Sequence, residues 1–139
     1  MNTLEILVEV QKRLDDAQEF GGLSVKTMLG YPNLGRPEVV PPLAAITFAA
    51  DAPKPVPALG RLPAHIDQIQ ATVYLVALNE QGLLALVDAM RNARPVLTSV
   101  VASGVIYILR WGPTRRVTLS EDERDIGFAV ATDLTVQRP

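Results

Sequence analysis

The sequence predicts an α+β domain in which two main helices pack on one face of a mostly antiparallel sheet of four to five strands. Three segments lead to this prediction: an amphipathic stretch at the N-terminus, a strand followed at once by a helix between Ile66 and Arg94, and a long alternating stretch at the C-terminus. Helices and antiparallel strands in this order usually form two layers around one core. The length of 139 residues fits one domain, so we predict a single domain over residues 1–139.

The first element is an amphipathic helix. Asn2 and Glu5 have the spacing of a capping box, which satisfies free backbone N–H groups at the start of a helix. Two glycines at positions 21 and 22 end the helical pattern. Between these signals the apolar positions recur every three or four residues, which predicts one buried stripe: Leu4, Leu7, Val10, Leu14 and Ala17.

Two strands and a loop follow. Residues 23–29 predict a short strand, and the pair Pro41–Pro42 leads into a second strand from Leu43 to Ala50 with alternating side chains. Gly30 and Gly35 lie in the loop between them. This loop does not resemble a phosphate cradle, because the Lys-Ser/Thr ending is absent and its prolines lack the N–H groups that a cradle uses.

A proline-rich stretch at residues 51–63 predicts an extended loop instead of a central strand. Its prolines alternate at positions 53, 55 and 57 and recur at 63, and Lys54 and Arg61 are its only positive charges. Two interpretations remain open: a flexible surface hairpin, or an arm that reaches a neighbouring subunit. His65 follows as the only histidine, and without cysteine it lacks the usual partners of a metal site.

The strand and helix at the centre of the chain have the clearest pattern. Asn79 is placed to cap the helix, Glu80 adds negative charge to its first turn, and Pro95 ends it. The helical core positions are Leu83, Leu86 or Val87, and Met90. The strand alternates with a period of two residues, and the predicted core positions on one of its faces are Ile69, Ala71, Val73, Leu75 and Ala77.

The C-terminal third predicts a strand from Val105 to Trp111 that ends at Pro113, and a final strand from Phe128 to Gln137. The first of these is apolar on both faces, which indicates burial under helices or contact with another chain. Ser120 and Glu123 predict one helical turn or a tight corner. The acidic run at residues 121–125 lacks the spacing of a calcium loop, so we interpret it as a solvated corner in preference to a cation site.

Charge and composition exclude several classes of function. The net charge is −2 and the basic residues are scattered, which argues against sequence-specific binding of nucleic acid. The chain has no cysteine and no apolar run near the roughly 20 residues of a membrane span, and its first residues are acidic without a basic leader, so we expect no secretory signal there. We therefore expect a protein that is made in the cytoplasm and has no membrane partner.

No motif for catalysis is recognisable. A serine-nucleophile elbow and the glycine fingerprints of nucleotide binding are absent, and one histidine without cysteine excludes most pairs of nucleophile and base. Catalysis by carboxylates alone stays open, because the sequence does not show which acids converge. We predict no catalytic residue, no cofactor and no metal, and hence a protein that is not an enzyme.

The order of elements resembles the tail terminator or tail-completion proteins of long-tailed bacteriophages and of phage-derived contractile particles. The segments that carry the resemblance are the Pro-Pro entry into a strand, "QATVYLVALNEQGLLALVDAMRNA" at 70–93 and "DIGFAVATDLTV" at 125–136. The resemblance implies a homohexameric ring in the virion tail or neck. Such a ring caps the tail tube, stops its polymerisation, and joins a head–tail connector or sheath protein.

For such a ring we predict contact residues with the neighbouring subunit or the tube. They are Lys54, Arg61, Arg110, Trp111, Arg115 and Arg116, with a core position as the alternative for Trp111. Two other functions stay open. One is another neck protein, the head–tail adaptor, which shares the ring architecture; the other is a small-molecule-binding or catalytic α+β domain, which would require a concave pocket with convergent polar groups.

Overall fold

The computed structural model describes residues 2–17, 20, 22–33, 39–51, 54–56, 64–66, 68–121 and 124–138. Within these ranges the chain forms two α-helices, a short 3-10 helix at Arg94–Val96, and eight strands. The helices are α1 (Thr3–Asp15) and α2 (Glu80–Ala93). The strands are β1 (Lys26–Leu29), β2 (Leu43–Asp51), β3 (Lys54–Val56), β4 (Ala64–Ile66), β5 (Gln68–Val76), β6 (Ser99–Ala102), β7 (Val105–Glu121) and β8 (Arg124–Gln137).

Six strands form one curled, mixed sheet in the order β1-β2-β5-β8-β7-β6. Neighbouring strands are antiparallel except β1 and β2, which run parallel with Lys26 opposite Leu43. The predicted α+β class and the two main helices are confirmed. The predicted number of strands, four to five, was too low for this sheet, because the edge strand β6 has only four residues, too few to show a clear alternation.

The main core lies between the helices and the sheet. Alternate residues of β5, from Ile69 to Leu75, and Ala77 just after the strand belong to the same apolar cluster as the buried residues of both helices. Those helical residues include Ile6, Val10, Leu14, Leu83, Leu86 and Met90. A smaller cluster lies on the opposite, outer face of the sheet, where Leu119 near the end of β7 packs with Leu43 and Val76.

Helix α1 contacts both edge strands of the sheet and bridges them. On the β1 side, Gln11 donates to the Thr27 hydroxyl, which donates to Asp15. On the β6 side, the Glu5 carboxylate accepts from the backbone N–H of Ser103 at 2.9 Å and from its hydroxyl at 2.6 Å. One helix therefore contacts both edge strands of the curled sheet.

Both predicted helix caps are present. The Asn2 side chain accepts from the Glu5 N–H at 3.1 Å, and the Asn79 side chain accepts from the Gly82 N–H at 2.7 Å. The capping box at α1 is only half formed, because the Glu5 carboxylate binds Ser103. The same residue thus supports the helix start through its backbone and the sheet edge through its side chain.

Strand β7 does not end at Pro113, as the sequence had predicted, but continues to Glu121. The pairing with β8 shifts between Trp111 and Thr114, so Gly112 and Pro113 have no partner in the register. A bulge of this kind accommodates proline because no ladder hydrogen bond requires its missing N–H. At Gly112 an added Cβ would lie 3.1 Å from the Cβ of Asp133, which leaves little room for a side chain.

Two two-stranded ribbons extend from the sheet. The arm ribbon consists of β3, which lies in the stretch 51–63 that was predicted to be an extended loop, and β4, which follows that stretch and pairs with β3. Proline is compatible with such strands because each has one unpaired edge. The tip ribbon consists of residues 119–121 of β7 and 124–126 of β8, and replaces the predicted helical turn or corner with a hairpin.

None of the helices in the described ranges is both long and apolar enough to cross a membrane.

Candidate assembly interface

Four of the predicted contact residues lie on β7, and the strand divides them between the two faces of the sheet. Residues that lie opposite each other on neighbouring strands point to the same face. Trp111 lies opposite Leu134, and Arg116 lies opposite Val130; both partners belong to the main core under the helices. The other two, Arg110 and Arg115, lie on the outer face.

Trp111 is half-buried and packs against the main core. Its indole N–H donates to the backbone carbonyl of Leu97 at 2.7 Å, in the segment that precedes β6. The ring therefore ties β7 to the end of the 3-10 segment. Only the exposed part of the ring is available to another chain.

Arg115 forms an ion pair on the outer face of the sheet. Its Nη1 lies 2.8 Å from Oδ1 of Asp133 on β8, and about half of each side chain is exposed. The hydrogen bond from the guanidinium to Asp133 raises the pKa of Arg115. Exposed pairs of this kind contribute about 0–1 kcal/mol, so the pair orients the side chain more than it stabilises the fold.

Arg116 forms a two-point ion pair on the opposite face. Its Nη1 donates to Oε1 of Glu80 at 2.7 Å, and its Nη2 donates to Oε2 of the same carboxylate. Accepting these hydrogen bonds lowers the pKa of Glu80, and donating them raises the pKa of Arg116. Glu80 is the first residue of α2, so the pair joins the start of this helix to the strand that leads to the tip ribbon.

Arg94 belongs to a polar network that the sequence did not predict. Its Nη2 donates to the Thr114 hydroxyl at 2.7 Å, and that hydroxyl lies 2.9 Å from the hydroxyl of Thr132, which is fully buried. Burial, together with the charge of Arg91, lowers the pKa of Arg94. The network joins the end of α2 to β7 just beyond the bulge.

The remaining predicted contact residues belong to the proline-rich stretch. Lys54 is the first residue of β3, opposite Ile66 in the arm ribbon. Arg61 lies outside the described residues. Lys54 therefore belongs to a separate two-stranded sheet, whereas the other four described contact residues lie on β7 of the main sheet.

Exposed apolar side chains occur near the base of the tip ribbon. Leu78 follows β5 and is 67% exposed, and Phe128 on β8 is 38% exposed. The two segments are neighbours, because the Ala77 N–H donates to the carbonyl of Phe128 at 2.9 Å. Leu84 on α2 is also exposed. Single exposed apolar residues are common on protein surfaces. These residues indicate a contact surface only in combination with the ribbon beside them.

The outer face carries a shallow depression of about 200 Å³. Its polar lining comes from β5 and β8, with Gln70, Thr72, Asp133 and Thr135. Ligand pockets usually have volumes of about 300–1,000 Å³ and a mostly apolar lining. In the described part of the chain no group of three or more His, Cys, Asp or Glu side chains is arranged to hold a metal ion.

Comparison with known proteins gives information on the fold alone. No family model matches the sequence, and no curated protein matches it. Among solved structures, the chain is similar to one that carries a sequence identifier in place of a descriptive name: the TM-score is 0.50 at 15% identity, and the match covers 100% of this chain and 96% of the other. This similarity supports an α+β fold over the whole chain.

Proposed function

We propose that this chain is a ring-forming tail terminator of a long-tailed phage or of a phage-derived contractile particle. The observation that supports this most directly is the position of the two ribbons. They extend from opposite ends of the paired strands β5 and β8. The arm ribbon lies between β2 and β5, at the end where Gln68 pairs with Gln137. The tip ribbon extends beyond the other end, where Val76 pairs with Ala129.

A subunit with different elements at its two ends is suited to head-to-tail contacts. Such contacts use two different surfaces, and they generate a closed ring when the rotation between copies closes. A backbone edge can add to a neighbouring chain through main-chain hydrogen bonds, while side chains fix the register. Because α1 bridges the edges of the main sheet, the ribbons are the elements that this proposal assigns to subunit contacts.

In this proposal the ring is a homohexamer in the virion tail or neck. One of its faces binds the last ring of the tail tube, and the other binds a head–tail connector or sheath protein. The chain acts by binding and carries no catalytic residue, cofactor or metal. The ion pair of Arg115 with Asp133 joins β7 to β8, and that of Arg116 with Glu80 joins β7 to α2, in the part of β7 that leads to the tip ribbon.

The proposal is tested by growing tail tubes from purified tube protein with and without this chain. We expect shorter tubes with a ring at one end, and a population of hexamers in light scattering. The proposal fails if the length distribution of the tubes is unchanged and the chain stays monomeric in their presence. A chain that forms rings and binds the connector, but ignores tube ends, would be a head–tail adaptor instead.

A further inference from the structure

We infer that the arm ribbon of one copy pairs with the tip ribbon of the next copy in the ring. This inference rests on the proposed function and specifies which surfaces of the chain meet. It commits to a second copy of this chain as the partner of both ribbons. Three features of the ribbons support it: their unpaired backbone edges, their positions and their formal charges.

Both ribbons have backbone edges without a partner in the described part of the chain. Strands β3 and β4 form a sheet of two and pair only with each other. Residues 124–126 of β8 pair with β7, whereas the pairing of β8 with β5 begins at Ala129. Two-stranded ribbons are marginally stable alone, and their unpaired N–H and C=O groups favour the addition of another strand.

The positions of the ribbons prevent them from meeting within one chain. The nine residues of β5 separate the two ends of the sheet, which corresponds to about 26 Å. Between two copies in head-to-tail order, however, the arm end of one copy faces the tip end of the next. Every subunit of a closed ring would then use both ribbons once.

The sequence gives the two ribbons opposite formal charge. Residues 54–66, from the start of β3 to the end of β4, contain Lys54, Arg61 and no acidic residue, which is a formal charge of +2 with neutral histidine; Asp51 and Asp67 flank this stretch. Residues 121–125 contain four acidic residues and Arg124, which is a formal charge of −3. Contact between unlike segments is therefore favoured, and arm-to-arm or tip-to-tip contact is disfavoured.

A charge-reversal experiment tests this pairing. The arm variant carries Lys54→Glu and Arg61→Glu, and the tip variant carries Glu121→Lys and Asp125→Lys. Each variant alone would bring like charges together, so we expect its average mass in light scattering to fall from the hexamer toward the monomer. In an equimolar mixture each reversed arm meets a reversed tip, and we expect the hexamer to return.

The mixture separates loss of contact from loss of folding, because two misfolded variants would not restore assembly. A matched control, Lys12→Glu with Lys26→Glu, makes the same change in net charge as the arm variant on α1 and β1, and should leave the mass unchanged. If the wild-type chain assembles only on tube ends, capping of tubes by each variant and by the mixture gives the same comparison.

The outcomes distinguish this inference from the proposed function. If wild type forms rings and caps tubes while both variants behave as wild type, the ribbon pairing is wrong and the proposed function stands. If the variants and their mixture behave as expected but no form caps tubes, the pairing stands and the proposed function is wrong. A wild-type chain that is monomeric with and without tubes overturns both.

Discussion

The guanidinium of Arg116 on β7 donates hydrogen bonds to both carboxylate oxygens of Glu80, the first residue of α2. This pair connects residues 36 positions apart. Glu80 also occupies the first turn of a helix, where negative charge is favoured by the helix dipole. One carboxylate therefore supports the start of α2 and, through Arg116, joins this helix to the strand that carries the tip ribbon.

The first prediction concerns the protonation of Glu80. Its pKa is lowered in the folded chain by the hydrogen bonds from Arg116, so the pair contributes stability above the ordinary carboxyl pKa of 4.5. That contribution is lost as the pH falls through the lower pKa of the folded state. We expect an NMR titration of the Glu80 carboxyl group to give a pKa below 4.5, and Arg116→Gln to raise it.

The control for this titration is Arg115→Gln, which removes the pair with Asp133 on the other face of the sheet. It should leave the titration of Glu80 unchanged. A Glu80 carboxyl group that titrates at 4.5 or above in the wild type would show that the two-point pair does not form in solution.

The second prediction concerns the indole of Trp111. Trp111→Phe keeps most of the ring but removes the N–H that donates to Leu97, so the free energy of unfolding should fall by about 1 kcal/mol. Trp111→Ala should cost more, because it also removes packing against the main core. Urea unfolding followed by circular dichroism measures both variants. Equal stability of Trp111→Phe and wild type would mean that the hydrogen bond contributes nothing.

The third prediction compares two leucines on α2. Leu86 is 1% exposed and lies in the main core, so Leu86→Ala should lower the free energy of unfolding by about 2–5 kcal/mol. Leu84 is 55% exposed, so Leu84→Ala should change it by less than about 0.5 kcal/mol. Denaturant unfolding of both variants checks the difference. A similar loss for both would contradict the orientation of α2 on the sheet.

The sequence predicted well those elements whose local pattern agrees with their final environment. Strand β5 alternates because only one of its faces meets the helices, and α2 has a cap, an apolar stripe and a proline just past its end. The edge strand β1 was predicted over residues 23–29, but its local pattern shows neither its start at Lys26 nor its partner strand. It pairs with β2 in parallel. It also contacts α1 through residues that are distant from it in the sequence.

Pro113 and the arginines on β7 show the limits of local reasoning in another way. Proline usually ends a strand, but a bulge removes the one hydrogen bond that it would break, and the pair Gly112-Pro113 fits the end of a strand as well as a bulge. The prediction that Arg115 and Arg116 contact another chain stays a prediction, but the sequence did not show the ion pairs that they form within this chain. Their partners within this chain, Asp133 and Glu80, lie 18 and 36 residues away, so only the folded chain could identify them.

The last prediction concerns the bridge from α1 to the β6 side of the sheet. The Glu5 carboxylate accepts from both the backbone N–H and the hydroxyl of Ser103, at the turn between β6 and β7. Glu5→Ala removes this acceptor, so we expect faster hydrogen exchange at the Ser103 amide and little change at the amides of β5.

The matched control is Glu9→Ala, which removes an exposed pair with Lys12 on the same helix and should leave Ser103 unaffected. Unchanged exchange at Ser103 in Glu5→Ala would mean that α1 does not hold this edge, and that β6 is open to another strand as the ribbons are.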